Sequence, residues 1–296
     1  MARGIDLAGR RAIVTGGAGG LGLETARALA STGAEVTLAV RDLGSGARAA
    51  DDVIASTGSQ RVRVAALDLA DRSSIASFVS SWSGELHILV NNAGVMKIPE
   101  LQRTRQGWEM QFAINHLGHF ALVNGLHDAL SASGCGRVVV VSSSAHLRSP
   151  VVFEDIHFEA RPYDPSLAYA QSKTANVLFA VGASARWAGS GVTANALMPG
   201  TIDTGLMRFL PSDWLERASQ EAGQSIATKT PEQGAATAVL LATSPLLEGI
   251  TGRYFEDCNE ARIVTEPTPF GGGVARYALD PENANKLWEA SLSMVS

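Results

Sequence analysis

A short apolar run, Arg11-Ala12-Ile13-Val14-Thr15, passes directly into Gly16-Gly17-Ala18-Gly19-Gly20-Leu21-Gly22. That loop opens a stretch with Leu23, Ala26, Leu29 and Ala30 on one side of a helix. Strand, glycine loop and helix in immediate succession leave few folds open. The glycines allow a tight turn and let backbone N–H groups approach a pyrophosphate at the positive helix N-terminus. The loop parses two ways, as Gly17-x-Gly19-x-x-Gly22 or as Thr15-Gly16-x-x-x-Gly20-x-Gly22. The competing reading is a merely flexible turn, which has no need of a strand before it and a helix after it.

The same alternation continues down the chain. Residues 35–40, 61–67, 86–90, 137–141 and 192–197 predict further strands, with a short last one at 253–255. Helical stretches fall at 46–56, 73–82 (with Asp71 or Ser73 as N-cap), 107–130, around Tyr169, and from Pro231 to Thr243. Unbroken apolar strands alternating with helices predict an α/β protein, a doubly wound parallel sheet of about seven strands with helices on both faces. Polar clusters at 16–22, Asp68, 91–94 and 142–144 all fall at predicted strand C-termini, where open parallel sheets bind ligands. After the second strand comes Val40-Arg41-Asp42. An acid there binds a ribose diol, whereas an arginine accommodates a 2′-phosphate. Arg41 is favoured, hence NADP(H) over NAD(H), with a loop-capping solvated charge as the alternative.

Tyr169 and Lys173 stand four apart on a stretch without Pro or Gly, so phenol and ammonium share a helix face. A nearby cation favours the phenolate, and such a tyrosine can exchange a proton with an alcohol or carbonyl oxygen. A chance pair on a solvated face is the alternative, against which the rest of the chain argues. A net charge of −5 without a basic run speaks against nucleic acid as a main partner. The N-terminus lacks the apolar segment of a secretory signal, and no apolar stretch is long enough for a membrane span. Cys135 and Cys258 follow no metal spacing and read as free thiols, which gives an expectation of a cytoplasmic protein without a metal.

Thr15-Gly16-x-x-x-Gly20-x-Gly22, Asn91-Asn92-Ala93-Gly94, Asn115, Ser143, Tyr169-x-x-x-Lys173 and Pro199-Gly200 occur in the order seen in the short-chain dehydrogenase/reductases. Over residues 7–255 the chain resembles that family. Asn115-His116-Leu117-Gly118-His119-Phe120, Ser142-Ser143-Ser144-Ala145-His146 and Tyr169-x-Gln171-Ser172-Lys173-x-Ala175-Asn176 are similar to its retinol-dehydrogenase-like branch and bacterial relatives. The resemblance implies a single Rossmann-type domain over 1–296. It also implies NADP(H)-dependent interconversion of a carbonyl and a secondary or primary alcohol. Tyr169 is then the general acid/base. Lys173 lowers the Tyr169 pKa and bonds the nicotinamide ribose, Ser143 holds the substrate oxygen, and Asn115 anchors a proton-relay water. Ser142, beside Ser143, satisfies local backbone. Gly16, Gly20, Leu21 and Gly22 belong to the pyrophosphate loop, Asp68 and Leu69 to the adenine site, and Asn92, Ala93 and Gly94 to the adenosine ribose. Pro199, Gly200, Ile202 and Thr204 belong to the nicotinamide site. Asp68 read structurally is a helix N-cap.

The chain departs from the compact family pattern in the separation of 26 positions from Ser143 to Tyr169. Residues 144–168 are therefore an insert, with 151–159 read as a hairpin or loop; neither His146 nor His157 receives a role. The insert stands against the helix face of family tetramers, which leaves monomer or homodimer as the expected state. Residues 205–227, with Met207, Phe209, Leu210, Trp214 and Leu215, read as an apolar lid or as ordinary core. They predict a small-to-medium apolar substrate, and no charged clamp for phosphate or carboxylate is evident. The extension 256–296 ends in a helix over 281–292 that covers the pocket or meets another subunit. Two rival functions are a non-catalytic NADP-binding redox sensor and a sugar-nucleotide epimerase or dehydratase.

Overall fold

The computed structural model describes every residue except 1, 3, 203, 224, 269 and 270. Parts of the expected N-terminal stretch, lid and C-terminal extension therefore lie outside the described residues. The apolar runs become β1 (Arg11–Thr15), β2 (Glu35–Val40), β3 (Val62–Ala66), β4 (Ile88–Asn91), β5 (Gly136–Val141) and β6 (Val192–Met198). Shorter strands follow: β7 (Thr201–Ile202), β8 (Thr228–Lys229), β9 (Tyr254–Glu256), β10 (Asn259–Glu260), β11 (Ile263–Val264) and β12 (Val274–Ala275).

The main sheet has the order β10-β9-β6-β5-β4-β1-β2-β3. All neighbours pair in parallel except β10, which is antiparallel to β9. The count is thus eight strands, not seven. The extra strand is the far side of a tight hairpin whose two loop residues, Asp257 and Cys258, both have positive φ (48° and 62°). A two-residue loop with both φ values positive matches the twist of the strands, but Asp-Cys is not the Asn-Gly or Asp-Gly pair that announces one.

Successive strand side chains point to opposite faces, so each strand feeds two cores. Ile13, Leu89, Val138 and Val140 pack in one cluster, and Val14, Val90, Val139 and Val141 in the other. The second core is covered by α1 (Gly20–Ser31), α2 (Leu43–Thr57) and α9 (Pro231–Thr243), through Leu29, Val53 and Leu241. The first is covered by α3 (Arg72–Ser81), α5 (Gly118–Gly125), α6 (His127–Ala132), α7 (Pro165–Arg186) and α10 (Pro281–Val295), through Phe78, Phe120, Leu130, Phe179 and Trp288. Helix starts follow local chemistry. Asp42, Asp71, Asp164 and Asp280 each accept a backbone N–H as N-cap, and Thr230 with Gln233 forms a capping box before Pro231.

One expected element comes out differently, and one open choice is decided. The long helix over 107–130 is broken into α4 (Met110–Phe112), a five-residue π turn (Ala113–Leu117), then α5 and α6. The 151–159 segment is not a hairpin: it holds one 3-10 turn, Phe153–Asp155. The Asp155 carboxylate accepts the N–H groups of Glu159, Ala160 and Arg161 and so curls the chain locally instead of leaving it free to pair. A further helix, α8 (Trp214–Ala222), completes the set.

Candidate active site

The glycine loop leaves the C-terminal end of β1, with the Gly16 N–H donating to Ala39 O. Gly22, in the first turn of α1, lies so close to the Gly16 carbonyl and the Asn92 side chain that a Cβ would collide with both. A Cβ on Gly19 would meet nothing, so the top of the loop faces open space. The neighbouring loop after β4 is tied to it. Thr15 Oγ1 accepts the N–H groups of Asn92 (2.9 Å) and Ala93 (3.0 Å), and Asn92 Nδ2 donates to Thr15 O (2.8 Å). This open, glycine-walled backbone at a helix N-terminus fits a dinucleotide pyrophosphate.

Tyr169 and Lys173 lie one turn apart in α7, both buried, with Lys173 Nζ 5.6 Å from the Tyr169 ring centroid. Lys173 Nζ donates to Val141 O at 3.0 Å. The adjacent serines are distinguished by their partners. Ser142 Oγ donates to Lys173 O (2.7 Å), which occupies it structurally. Ser143 Oγ caps the following turn by accepting Ala145 N–H (3.1 Å), and Ser143 lines the same cleft as Tyr169.

Asn115 sits in the π turn. Its amide accepts Val95 N–H (2.8 Å) and donates to Val95 O and Ser172 Oγ (both 2.9 Å). A Cβ on Gly94 would stand 3.1 Å from Asn115 Oδ1 and 3.7 Å from Lys173 Nζ, so the glycine lets these groups close on one another.

Burial governs the protonation of the pair. It pushes Tyr169 up to about 12, against the weaker pull of Ser143, and brings Lys173 down to about 8. The lysine was expected to lower the phenol. Here the desolvation of the phenolate prevails, and Tyr169 holds its proton at neutral pH.

Ser143, Tyr169 and Lys173 line one cleft of about 400 Å³ together with Leu21, Asn92, Gly94, Pro199, Gly200, Ile202 and Thr204. From residues 205–227 come Leu206, Met207, Leu210 and Trp214, whereas Phe209 is exposed. Gly16 and Ala93 in the loops, and Gly20 and Gly22 in the first turn of α1, lie beside this cleft but do not line it, and neither do Arg41, Asp68, Leu69 and Asn115. Arg41 is exposed at the end of β2, while Asp42 is engaged at the start of α2, accepting Ser45 N–H at 2.6 Å. Asp68 is not the cap of α3, which is Asp71; its Oδ1 accepts Ala70 N–H. A larger cavity of about 680 Å³ lies at the opposite end of the strands, by Arg10, His87, Gly136 and Val192, and holds none of these residues.

The sequence model of the short chain dehydrogenase family matches residues 10–214. The chain belongs to the short-chain dehydrogenase/reductase family. A probable oxidoreductase of Streptomyces antibioticus is 55% identical over 290 residues, covering 96% of this chain and 97% of that protein. Retinol dehydrogenase 11 of Homo sapiens is 38% identical over 297 residues, covering 98% and 87%. A crystal structure from Mycobacterium paratuberculosis superposes with a TM-score of 0.75 at 33% identity, over 98% of this chain and 95% of that one. The gluconate 5-dehydrogenase of Burkholderia cenocepacia, solved with NADP and tartrate, superposes with a TM-score of 0.63 at 27% identity, over 84% and 94%.

As a short-chain dehydrogenase/reductase the protein is an oxidoreductase acting on CH–OH and C=O groups, in a family that uses NAD(P). No group of His, Cys, Asp and Glu among the described residues could hold a metal ion, and no helix among them is long and apolar enough to cross a membrane. Sequence reasoning missed Met96, Lys97, Arg148 and Glu221, which also line the cleft. Arg148 and Glu221 meet only through the fold, at 2.8 Å.

His146 was missed as well. It is fully buried, with Nδ1 donating to Ser143 O (2.6 Å) and Nε2 accepting Ala275 N–H (3.2 Å).

Proposed function

We propose that the protein is an NADP(H)-preferring oxidoreductase that interconverts a carbonyl and an alcohol on a small-to-medium, largely apolar substrate. The observation that carries this reading is the convergence of Ser143, Tyr169 and Lys173 on one cleft at the C-terminal ends of β5 and β4, beside the glycine loop. The nicotinamide, when bound, supplies or accepts the hydride. The glycine loop holds the pyrophosphate, and Asp68 and Leu69 with Asn92, Ala93 and Gly94 hold the adenosine. Pro199, Gly200, Ile202 and Thr204 hold the nicotinamide end.

In reduction, Ser143 Oγ donates to the carbonyl oxygen and Tyr169 Oη delivers its proton there; in oxidation, Tyr169 takes the proton back. A phenol that keeps its proton at neutral pH is ready for the reductive direction. Lys173 supplies positive charge and reaches the nicotinamide ribose, and Asn115 fixes the loop at Val95 and the helix at Ser172. Apolar character of the substrate rests on Leu206, Met207, Leu210 and Trp214. The NADP preference rests on Arg41: it is the exposed cation at the end of β2, while Asp42 is engaged in capping α2.

Two measurements test the reading. Titration with NADPH and NADH, followed by nicotinamide fluorescence, is expected to show tighter NADPH binding that drops by roughly tenfold or more in Arg41→Ala. Tighter NADH binding would move the ribose to Asp42. The same titration on Tyr169→Phe separates enzyme from sensor: loss of turnover with NADPH affinity kept is the expected result. Unaltered ketone reduction would remove Tyr169 from the chemistry.

A further inference from the structure

One cation in the substrate cleft takes no part in hydride or proton transfer. Lys97 lines the same cleft as Ser143 and Tyr169, and it is half-buried there. Its backbone is left-handed, with φ at 52°, a conformation uncommon for a residue with a Cβ and one that persists only where the surroundings enforce it. Those surroundings are visible. The Lys97 N–H donates to Gln111 Oε1 at 2.7 Å. Gln111 is fully buried and is fixed in turn by donating from Nε2 to Tyr163 Oη (2.9 Å) and Pro165 O (3.1 Å). The lysine is built into the wall.

Among the described residues no carboxylate lies within ion-pair distance of Lys97, whereas Arg148 pairs with Glu221 at 2.8 Å and Arg217 with Asp213 at 2.7 Å. Burial, reinforced by Arg148, draws the Lys97 ammonium below its ordinary range, against the weaker pull of Glu221 and Asp164, which stand beyond ion-pair distance. A partly desolvated cation with no anion in direct contact is costly unless a ligand supplies one. The other side of the cleft is apolar, from Leu206, Met207, Leu210 and Trp214.

We propose that Lys97 is the anion subsite of this cleft, and that the protein prefers carbonyl or alcohol substrates carrying a carboxylate on an otherwise apolar body. This deepens the reading above and rests on it, since it takes the cleft beside Tyr169 as the substrate site.

A matched pair of probes, 5-oxohexanoate and its methyl ester, isolates the charge. Binding is read by calorimetry on Tyr169→Phe protein saturated with its preferred nicotinamide, so that no turnover is needed. The acid is expected to bind at least about tenfold tighter than the ester. Lys97→Met in that background should abolish the preference and Lys97→Arg should retain it, with nicotinamide affinity equal in all three. Equal or tighter binding of the ester overturns the subsite. So does a loss of nicotinamide affinity in Lys97→Met that matches the loss for the acid, because the charge would then belong to the cofactor.

Turnover by the unmutated protein separates the two readings. Charge-dependent binding with neither compound reduced overturns the reductase reading and leaves the subsite standing. Reduction of both compounds, indifferent to their charge, leaves the reductase and overturns the subsite.

Discussion

Tyr169 and Lys173 are shifted in opposite directions by the same burial, and each shift has a consequence outside catalysis. Lys173 titrates at about 8 in the folded protein against an ordinary value of 10.5. Below about pH 8 both folded and unfolded chains carry the proton, so the full cost of a buried charge is present. Between about pH 8 and 10.5 the folded state releases its proton first and the cost is relieved. Lys173→Met should therefore abolish turnover yet raise stability at pH 7, by about 1–3 kcal/mol. The carbonyl it leaves, Val141 O, still accepts Asn176 Nδ2 at 3.0 Å. The gain should shrink as pH rises above 8. Urea unfolding at pH 7 and pH 10 measures it, and a variant less stable than wild type at pH 7 would refute the account. At this scale the motif residues were legible because they are polar groups set at the ends of apolar runs. Lys97 was not, because its meaning depends on a left-handed backbone held by Gln111, a residue fourteen positions away.

Elements were legible where local chemistry is decisive. Asp164-Pro165 and Asp280-Pro281 each pair a capping carboxylate with a proline at the first helical turn, and α7 and α10 start there. They were illegible where a tertiary contact overrules the local pattern. Between 107 and 130 there is no proline, and Gly118 and Gly125 bound α5, but nothing by type marks the π turn before it, which the bonds from Asn115 to Val95 and Ser172 accompany. The C-terminal helix runs to Val295, three residues past its expected end, and Arg72 reaches it by donating to Val295 O. Its anchor is Trp288. The ring stacks on Phe179 (5.8 Å between centroids, 3° between planes) and meets Phe120 edge-on at 5.0 Å. Trp288→Ala should cost about 3–5 kcal/mol, as for other large aromatic truncations in a core. A loss under about 1 kcal/mol in urea unfolding would mean that α10 is not part of the core it touches.

Across the whole molecule, the sheet gathers the C-terminal ends of β1, β4, β5 and β6 into one rim, which is why polar clusters scattered over 16–200 meet. The strand alternation disclosed that rim; it could not disclose how the segment beyond residue 255 reaches it. That segment returns through β12, where the Ala275 N–H meets His146 Nε2, and Tyr277 Oη donates to His146 O. His146 carries the link to the carbonyl of Ser143. Burial brings its imidazole down to about 4, so it stays neutral across the physiological range and the arrangement does not switch with pH. His146→Ala should then loosen the serine while leaving the cofactor loops of β1 and β4 intact. Turnover is expected to fall by roughly 10- to 100-fold, the scale of a small misplacement of a reacting group. Stability is expected to fall by about 2–4 kcal/mol, from the cavity and the orphaned Ala275 N–H. Nicotinamide affinity should stay within about twofold of wild type, since no cofactor residue touches His146. Assayed well below its unfolding temperature, a variant with full turnover would show that the tail only stabilises the fold. Equal losses in turnover and cofactor affinity would show that the two halves of the rim are held as one unit.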